Sequence, residues 1–320
     1  MDLSLALNEL SAQHQLTSEA NARLRALSGL DDEPPSLTRA VVAGIAILAA
    51  ALGGLGIIFW IAANWDSLGR SGQFALLQCV VFFMCAGAFA LPCARVPLGL
   101  LALLATGGLF AYFGQTYQTG ADPWQLFALW AVLSLPLCLG IRHDVLWAPW
   151  ALIALSAVSL WVHAIIGSFW RFEQSDLNYY LIAWVGALAI AAFLSPLCKR
   201  YTGAGPWSLR TSITLAAIVV MITALGALDD LSIHYWLALA LLAGAAFAFS
   251  RPPLFDIFAM SVIGLVLNVL LVCLLARLVL RNGDGESIPG LLLVGLSAAG
   301  MLAGTVHLIL QASRKEARHD

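Results

Sequence analysis

Two short segments hold most of the side chains that could engage a ligand. The first, Gly114-Gln-Thr-Tyr-Gln-Thr-Gly-Ala-Asp-Pro-Trp124, follows an apolar run. Asp122, Pro123 and Gln125 fit the N-cap, N1 and N3 positions of a helix start. Capping accounts for Asp122, but not for Gln115, Tyr117 and Gln118, three hydrogen-bonding side chains presented beyond an apolar stretch. The second segment is Ala62-Ala-Asn-Trp-Asp-Ser67. Here Asn64 suits a left-handed helix terminus and Trp65 a membrane interface. Asp66 or Ser67 suits the cap of the next helix. The candidate ligand-binding residues are therefore Asn64, Trp65, Asp66, Gln115, Tyr117, Gln118, Asp122 and Trp124. Their chemistry is hydrogen bonding and aromatic contact with a small polar or cationic ligand.

Covalent and metal chemistry find less support. His143-Asp144 is a short pair without ligand spacing. Asp229-Asp-Leu-Ser-Ile-His234 crowds Asp, Ser and His into six residues, whereas a Ser-His-Asp site is assembled by geometry from distant segments. Neither G-x-S-x-G nor a phosphate-cradling P-loop occurs. His163 and His234, with Asp66, Asp122 or Asp229, are the remaining divalent-metal combination, but no H-E-x-x-H spacing supports it. The six cysteines lie in or beside apolar runs with no C-x-x-C pair, the pattern of small buried hydrophobes. No catalytic residue, metal or cofactor is expected.

What positions these segments is a membrane. The chain has 320 residues, 61% hydrophobic and 11% charged, against roughly 25% charged in a soluble domain. A soluble fold is excluded, and the excess apolar surface must meet the lipid bilayer. Runs near the length of about 20 residues that a membrane helix needs occur at 41–63, 74–93, 98–114, 126–141, 145–167, 179–198, 211–228, 235–249, 257–279 and 290–311. The fourth and eighth are short and would borrow from their flanking loops. The expected fold is all-α and polytopic, with about ten transmembrane helices. With the N-terminus inside, twelve of the sixteen Lys and Arg fall on inner segments, which is the positive-inside arrangement for N-in, C-in. The net charge of −2 and the lack of a basic stripe exclude nucleic acid as a partner. Domain boundaries follow: a cytoplasmic N-terminal helical segment and linker at 1–36, a transmembrane domain at 37–311, and a cytoplasmic tail at 312–320. In the first, Leu16, Ala20, Leu24 and Leu27 recur at helical spacing, with Thr17 or Ser18 as N-cap and Gly29 as stop. The polar start and the long first run argue against a cleaved signal peptide.

The span centres are almost empty of ionisable groups. Asn268 is the most polar central residue and reads as interhelical hydrogen-bonding glue. Gly300-x-x-x-Gly304, Gly53-Gly54 and Gly107-Gly108 read as close-packing positions. By contrast, eight of the eleven Trp map to outer ends or loops, with eight acids on the same face. That skew suggests an aromatic, acidic pocket on the outer side.

Gly56-Ile-Ile-Phe-Trp-Ile-Ala-Ala-Asn-Trp-Asp66, followed by Gly114-Gln-Thr-Tyr-Gln118 and Asp122-Pro-Trp-Gln-Leu-Phe-Ala-Leu-Trp130, resembles a bacterial family of predicted multi-pass membrane proteins of unknown function. The resemblance covers about residues 15–165; the early tryptophan of that family's N-terminal segment is missing here. It implies the bacterial inner membrane, and partners among membrane proteins encoded nearby. It implies no reaction. Three functional readings stand. The first is a transporter or transporter-like subunit handling a small solute or lipid precursor at the outer face. The second is a non-catalytic scaffold in an envelope complex. The third is a membrane-embedded enzyme at the outer face, needing His163 or His234 beside a carboxylate.

Overall fold

A computed structural model of the chain describes residues 9–10, 12–28, 35–63, 65–117, 120, 122–167, 176–228, 231–252, 254–281 and 288–316. Asn64, Gln118 and Asp229, and the side chains of Trp65 and Asp66, lie outside the described residues. The longer helices are α1 (Ser18–Ser28), α2 (Pro35–Ala63), α3 (Trp65–Ala90), α4 (Arg95–Tyr117), α5 (Pro123–Ile141) and α6 (Asp144–Ile166). They continue as α7 (Leu177–Phe193), α8 (Pro206–Gly226), α9 (Ile233–Phe249), α10 (Ile257–Arg281) and α11 (Ile288–Glu316). No strand occurs among the described residues. The fold is all-α, as the composition requires.

Eight of these helices are long and apolar enough to cross a membrane. α7 and the turn Pro196–Thr202 would together make a ninth, bent by 54°. The bend has a local cause. Pro196 has no N–H to continue the helix and holds the residue before it out of the helical region, so Ser195 is extended (φ −74°, ψ 163°). The apolar run alone predicts an unbroken span to residue 198. The fourth run, expected to be short, does gain Pro123–Gln125 from its flank to reach 19 residues. The eighth gains Ile233 and His234 to reach 17, roughly 26 Å at 1.5 Å per residue.

The chain divides into two compact units, Met1–Leu52 and Gly53–Asp320, and the boundary falls within α2. In the first, α1 starts as its sequence dictates: Thr17 Oγ1 accepts from the N–H of Ala20 at 3.4 Å. The Arg23–Glu19 pair at 3.8 Å is fully on the surface and contributes little.

Within the second unit, α6 and α8 form the centre. Half of each span is buried, against 6% of α11. α8 packs on α6, α7, α9 and α10. One core unites Val162, Trp184, Ile213, Val220, Tyr235 and Ile263 from those helices. A second gathers Leu103, Ala131, Trp147, Trp150 and Leu194. Close approach is set by glycine where the sequence suggested it. A Cβ on Gly107 would stand 2.3 Å from the Trp130 ring, and one on Gly54 2.9 Å from Leu101. Gly300 and Gly304 differ, because a Cβ on either meets nothing within 4 Å. Asn268 Nδ2 donates to Thr305 Oγ1 at 3.0 Å, and that hydroxyl donates to the Met301 carbonyl at 2.9 Å. This joins α10 to α11 as expected of a polar residue in lipid.

One end of the unit is locked by a joint between distant segments. α8 begins after Gly205, which has no side chain to cap it. Asp144, the first residue of α6, supplies the cap from across the joint. Its Oδ1 accepts from the N–H groups of Gly205 and Ser208, and its Oδ2 from that of Trp207, all at 2.9 Å. A carboxylate at a helix N-terminus also meets the positive end of the helix dipole. Trp147 Nε1 donates to the Thr202 carbonyl at 2.6 Å. Gly203, at φ +63°, passes so close to the Arg142 carbonyl that a Cβ would lie 2.4 Å from it. Next door, Arg210 pairs with Asp256 at 3.0 Å, and Asp256 caps α10 through the N–H of Ala259 at 2.8 Å. Both aspartates at this end therefore act as structural caps.

Candidate functional site

The opposite end, where α4 finishes and α5 begins, carries the residues singled out by sequence. α4 and α5 are neighbours. Asp122 occupies the N-cap position of α5 with Pro123 following it, and φ −61°, ψ 144° is the extended geometry of a cap. Its carboxylate makes no capping hydrogen bond and is exposed. Capping fixes where Asp122 stands but leaves its carboxylate facing outward. Gln115 and Tyr117, on the last turn of α4, are also exposed, Tyr117 at 56%. Trp124 is half-buried.

Beneath Tyr117 lies a polar and aromatic cluster that sequence reasoning overlooked. Gln73 and Tyr112 are both buried, and the Tyr112 hydroxyl donates to Gln73 Oε1 at 2.7 Å. The Arg70 carbonyl oxygen stands 3.2 Å from the same hydroxyl. Phe74 meets Tyr112 edge-on at 4.6 Å and Tyr117 at 5.6 Å, and Phe113 meets Tyr117 at 5.1 Å. The α3 side of this cluster follows a break at Gly69, whose φ of +62° and ψ of 160° interrupt the helix. A signal existed. Ala105, Gly108 and Tyr112 are spaced three and four apart, so Tyr112 continues the face on which Gly108 admits Ile58. A tyrosine there must bury its hydroxyl and find it a partner.

Trp124 belongs to a different joint, between α5, α6 and α7. With Ala128 of α5, Val158 and Trp161 of α6, and Ile182 and Gly186 of α7, it lines an open crevice of about 300 Å³. Tyr179 sits edge-on against Trp161 at 6.2 Å. The structure thus places Gln115 and Tyr117 by the α3–α4 cluster and Trp124 in the α5–α6–α7 crevice. Those two places share one end of the molecule but not one cavity.

The tryptophans sort differently from their positions along the chain. Trp184 is buried and its Nε1 donates to Thr223 Oγ1 at 3.0 Å. Trp130 Nε1 donates to the Leu103 carbonyl at 3.0 Å. These two, among the eight counted above toward an outer aromatic pocket, tie helices together instead. The two histidines read above as outer differ in exposure. His163 is exposed, whereas His234 is buried, edge-on to Tyr180 at 5.9 Å, with Nδ1 3.2 Å from Ser232 Oγ. Among the described residues, no group of three or more His, Cys, Asp or Glu side chains could hold a metal ion.

No curated protein and no solved structure matches the chain. Residues 8–147, which hold both candidate segments and stop early in α6, match the model of the family described as Predicted membrane protein (DUF2157).

Proposed function

We propose that this protein is a transporter or transporter-like subunit that handles a small solute or lipid precursor at the Trp124 end. In this reading the chain crosses a bacterial inner membrane ten times, α7 and α9 included, with both termini inside. Residues 1–36 form a cytoplasmic segment, and 312–320 a cytoplasmic tail. Arg95, Arg142, Lys199, Arg200, Arg210 and Arg251 gather at the Asp144 end, which supports that end as the inner one. The observation that carries the reading is the contrast between the two ends. At the Asp144 end, the carboxylates of Asp144 and Asp256 are engaged in caps. At the Trp124 end, Gln115, Tyr117 and Asp122 stand exposed, and Trp124 lines the separate α5–α6–α7 crevice. Exposed hydrogen-bonding groups and a concave, mostly apolar crevice at one end are the features of a ligand site.

The test is lipid movement in reconstituted vesicles, read as dithionite bleaching of a fluorescent headgroup-labelled phospholipid. Wild-type protein is expected to raise the bleached fraction above that of protein-free vesicles. The double variant Gln115→Ala, Tyr117→Ala is expected to abolish the rise while inserting and melting like the parent. Bleaching equal to protein-free vesicles, with solute flux also at background, removes the reading. The scaffold alternative has its own support in α11, almost uncovered and with Gly300 and Gly304 open. It predicts a stoichiometric membrane partner recovered on purification, with no flux.

A further inference from the structure

We infer that the crevice between α5, α6 and α7 is a docking site for the hydrocarbon chain of a membrane lipid, gripped at its headgroup end between Trp124 and Trp161. The inference rests on the reading above and names the ligand class for that end of the molecule.

The walls decide what can occupy the space. Ala128, Val158, Ile182 and Gly186 offer no side-chain hydrogen-bonding group, and among the described residues the two indoles are the only polar side chains on the lining. A buried water needs two to four polar partners, so water is a poor filler. Left empty, the crevice would deprive its lining of dispersion contacts. An apolar occupant restores them.

The surroundings decide where that occupant comes from. Leu129, Val132 and Leu133 on α5, Ile165 on α6, and Ile182 and Val185 on α7 are all exposed. They lie on helices that cross the membrane or on the bent ninth candidate. The crevice is therefore continuous with the surface already covered by the bilayer, and the chains at its mouth are lipid chains. Small residues on each wall make the indentation. A Cβ on Gly186 would touch only Val158 Cγ2, at 3.9 Å, so the space there is not claimed by another helix.

Its position along the helices sets the register of the lipid. Trp124 lies one residue into α5 and Trp161 five residues before the end of α6. Indoles prefer the headgroup boundary, with the ring in hydrocarbon and the N–H toward water. Trp124 to Ala128, and Ile182 to Gly186, each cover about one helical turn, roughly 6 Å. The crevice thus grips the upper part of a chain and leaves the rest in the bilayer.

The experiment uses the full-length protein in phosphatidylcholine vesicles that contain a phosphatidylcholine with a diazirine in the upper third of one chain. After illumination, adducts are mapped by peptide mass spectrometry. Adducts are expected to concentrate on 124–128, 157–161 and 182–186. Gly186→Phe and, from another helix, Ala128→Phe fill the space, and each is expected to lower those adducts on the order of fivefold, as close packing leaves no room for a second occupant. Adducts elsewhere on the lipid-facing helices are expected not to change. Adducts spread evenly over the exposed helices, or unaltered in both variants, overturn the inference. Protein–protein adducts at the crevice with a dimer mass assign it to a second copy and overturn it too. Even labelling together with lipid flipping removes the crevice but leaves the transport reading standing; crevice labelling without flux does the reverse.

Discussion

Replacing Asp144 with alanine is expected to lower stability on the order of 3 kcal/mol, because the α8 N-terminus loses three hydrogen bonds to a charged acceptor at once. Gly205, Trp207 and Ser208 present their N–H groups to the two carboxylate oxygens at 2.9 Å. No neighbour can take over, since the N-cap residue of α8 is a glycine. The joint also holds the Trp147 indole against the Thr202 carbonyl, so its loosening reaches the second core. The check is thermal unfolding in detergent, together with proteolysis between residues 199 and 208. Asp144→Ala should melt lower and be cut faster there, whereas Asp144→Asn, which keeps one acceptor oxygen, should fall between. An alanine variant as stable as wild type would show that water caps α8 equally well.

The second large effect is at Gly107. Its missing Cβ is what lets the Trp130 ring lie on α4, 2.3 Å from where that atom would stand, with the indole N–H on the Leu103 carbonyl one turn away. Gly107→Ala must push the ring off, and about 1–3 kcal/mol of overpacking strain is expected together with the lost hydrogen bond. A methyl group usually helps a helix, so the sign of this change is diagnostic. Trp130→Phe removes the very ring atoms that clash. The double variant is therefore expected to be more stable than the sum of the two single changes, and a double-mutant cycle measures the difference. Additivity within error would mean that the two residues do not meet.

These two positions show where sequence reading stops. Most elements were legible: the apolar runs became helices, except that the run at 179–198 breaks at Ser195–Pro196; Thr17 did cap α1, and Asn268 did bridge to a neighbouring helix. Helix rotation was not. In lipid both faces of a span are apolar, so the 3.6-residue periodicity that betrays a buried face in water is absent. That is why Trp130 and Trp184 read as interfacial although their indoles point into the bundle. Asp144 was opaque for another reason. Its partners lie more than 60 residues away, and a local pattern cannot reveal a cap supplied by a different helix. For the candidate site, Gln115, Tyr117 and Asp122 were singled out from chemistry alone, and the structure shows them exposed. The buried Gln73–Tyr112 pair behind them needed the packing of α3 on α4 to become visible.

The proposal turns on whether the α5–α6–α7 crevice at the Trp124 end accommodates a lipid chain. The most direct measurement is a density map of the protein in lipid nanodiscs, read at the α5–α6–α7 crevice. The account predicts elongated, non-protein density entering between Trp124 and Trp161 and lying against Gly186. A crevice closed by its own side chains, with no such density, would contradict it.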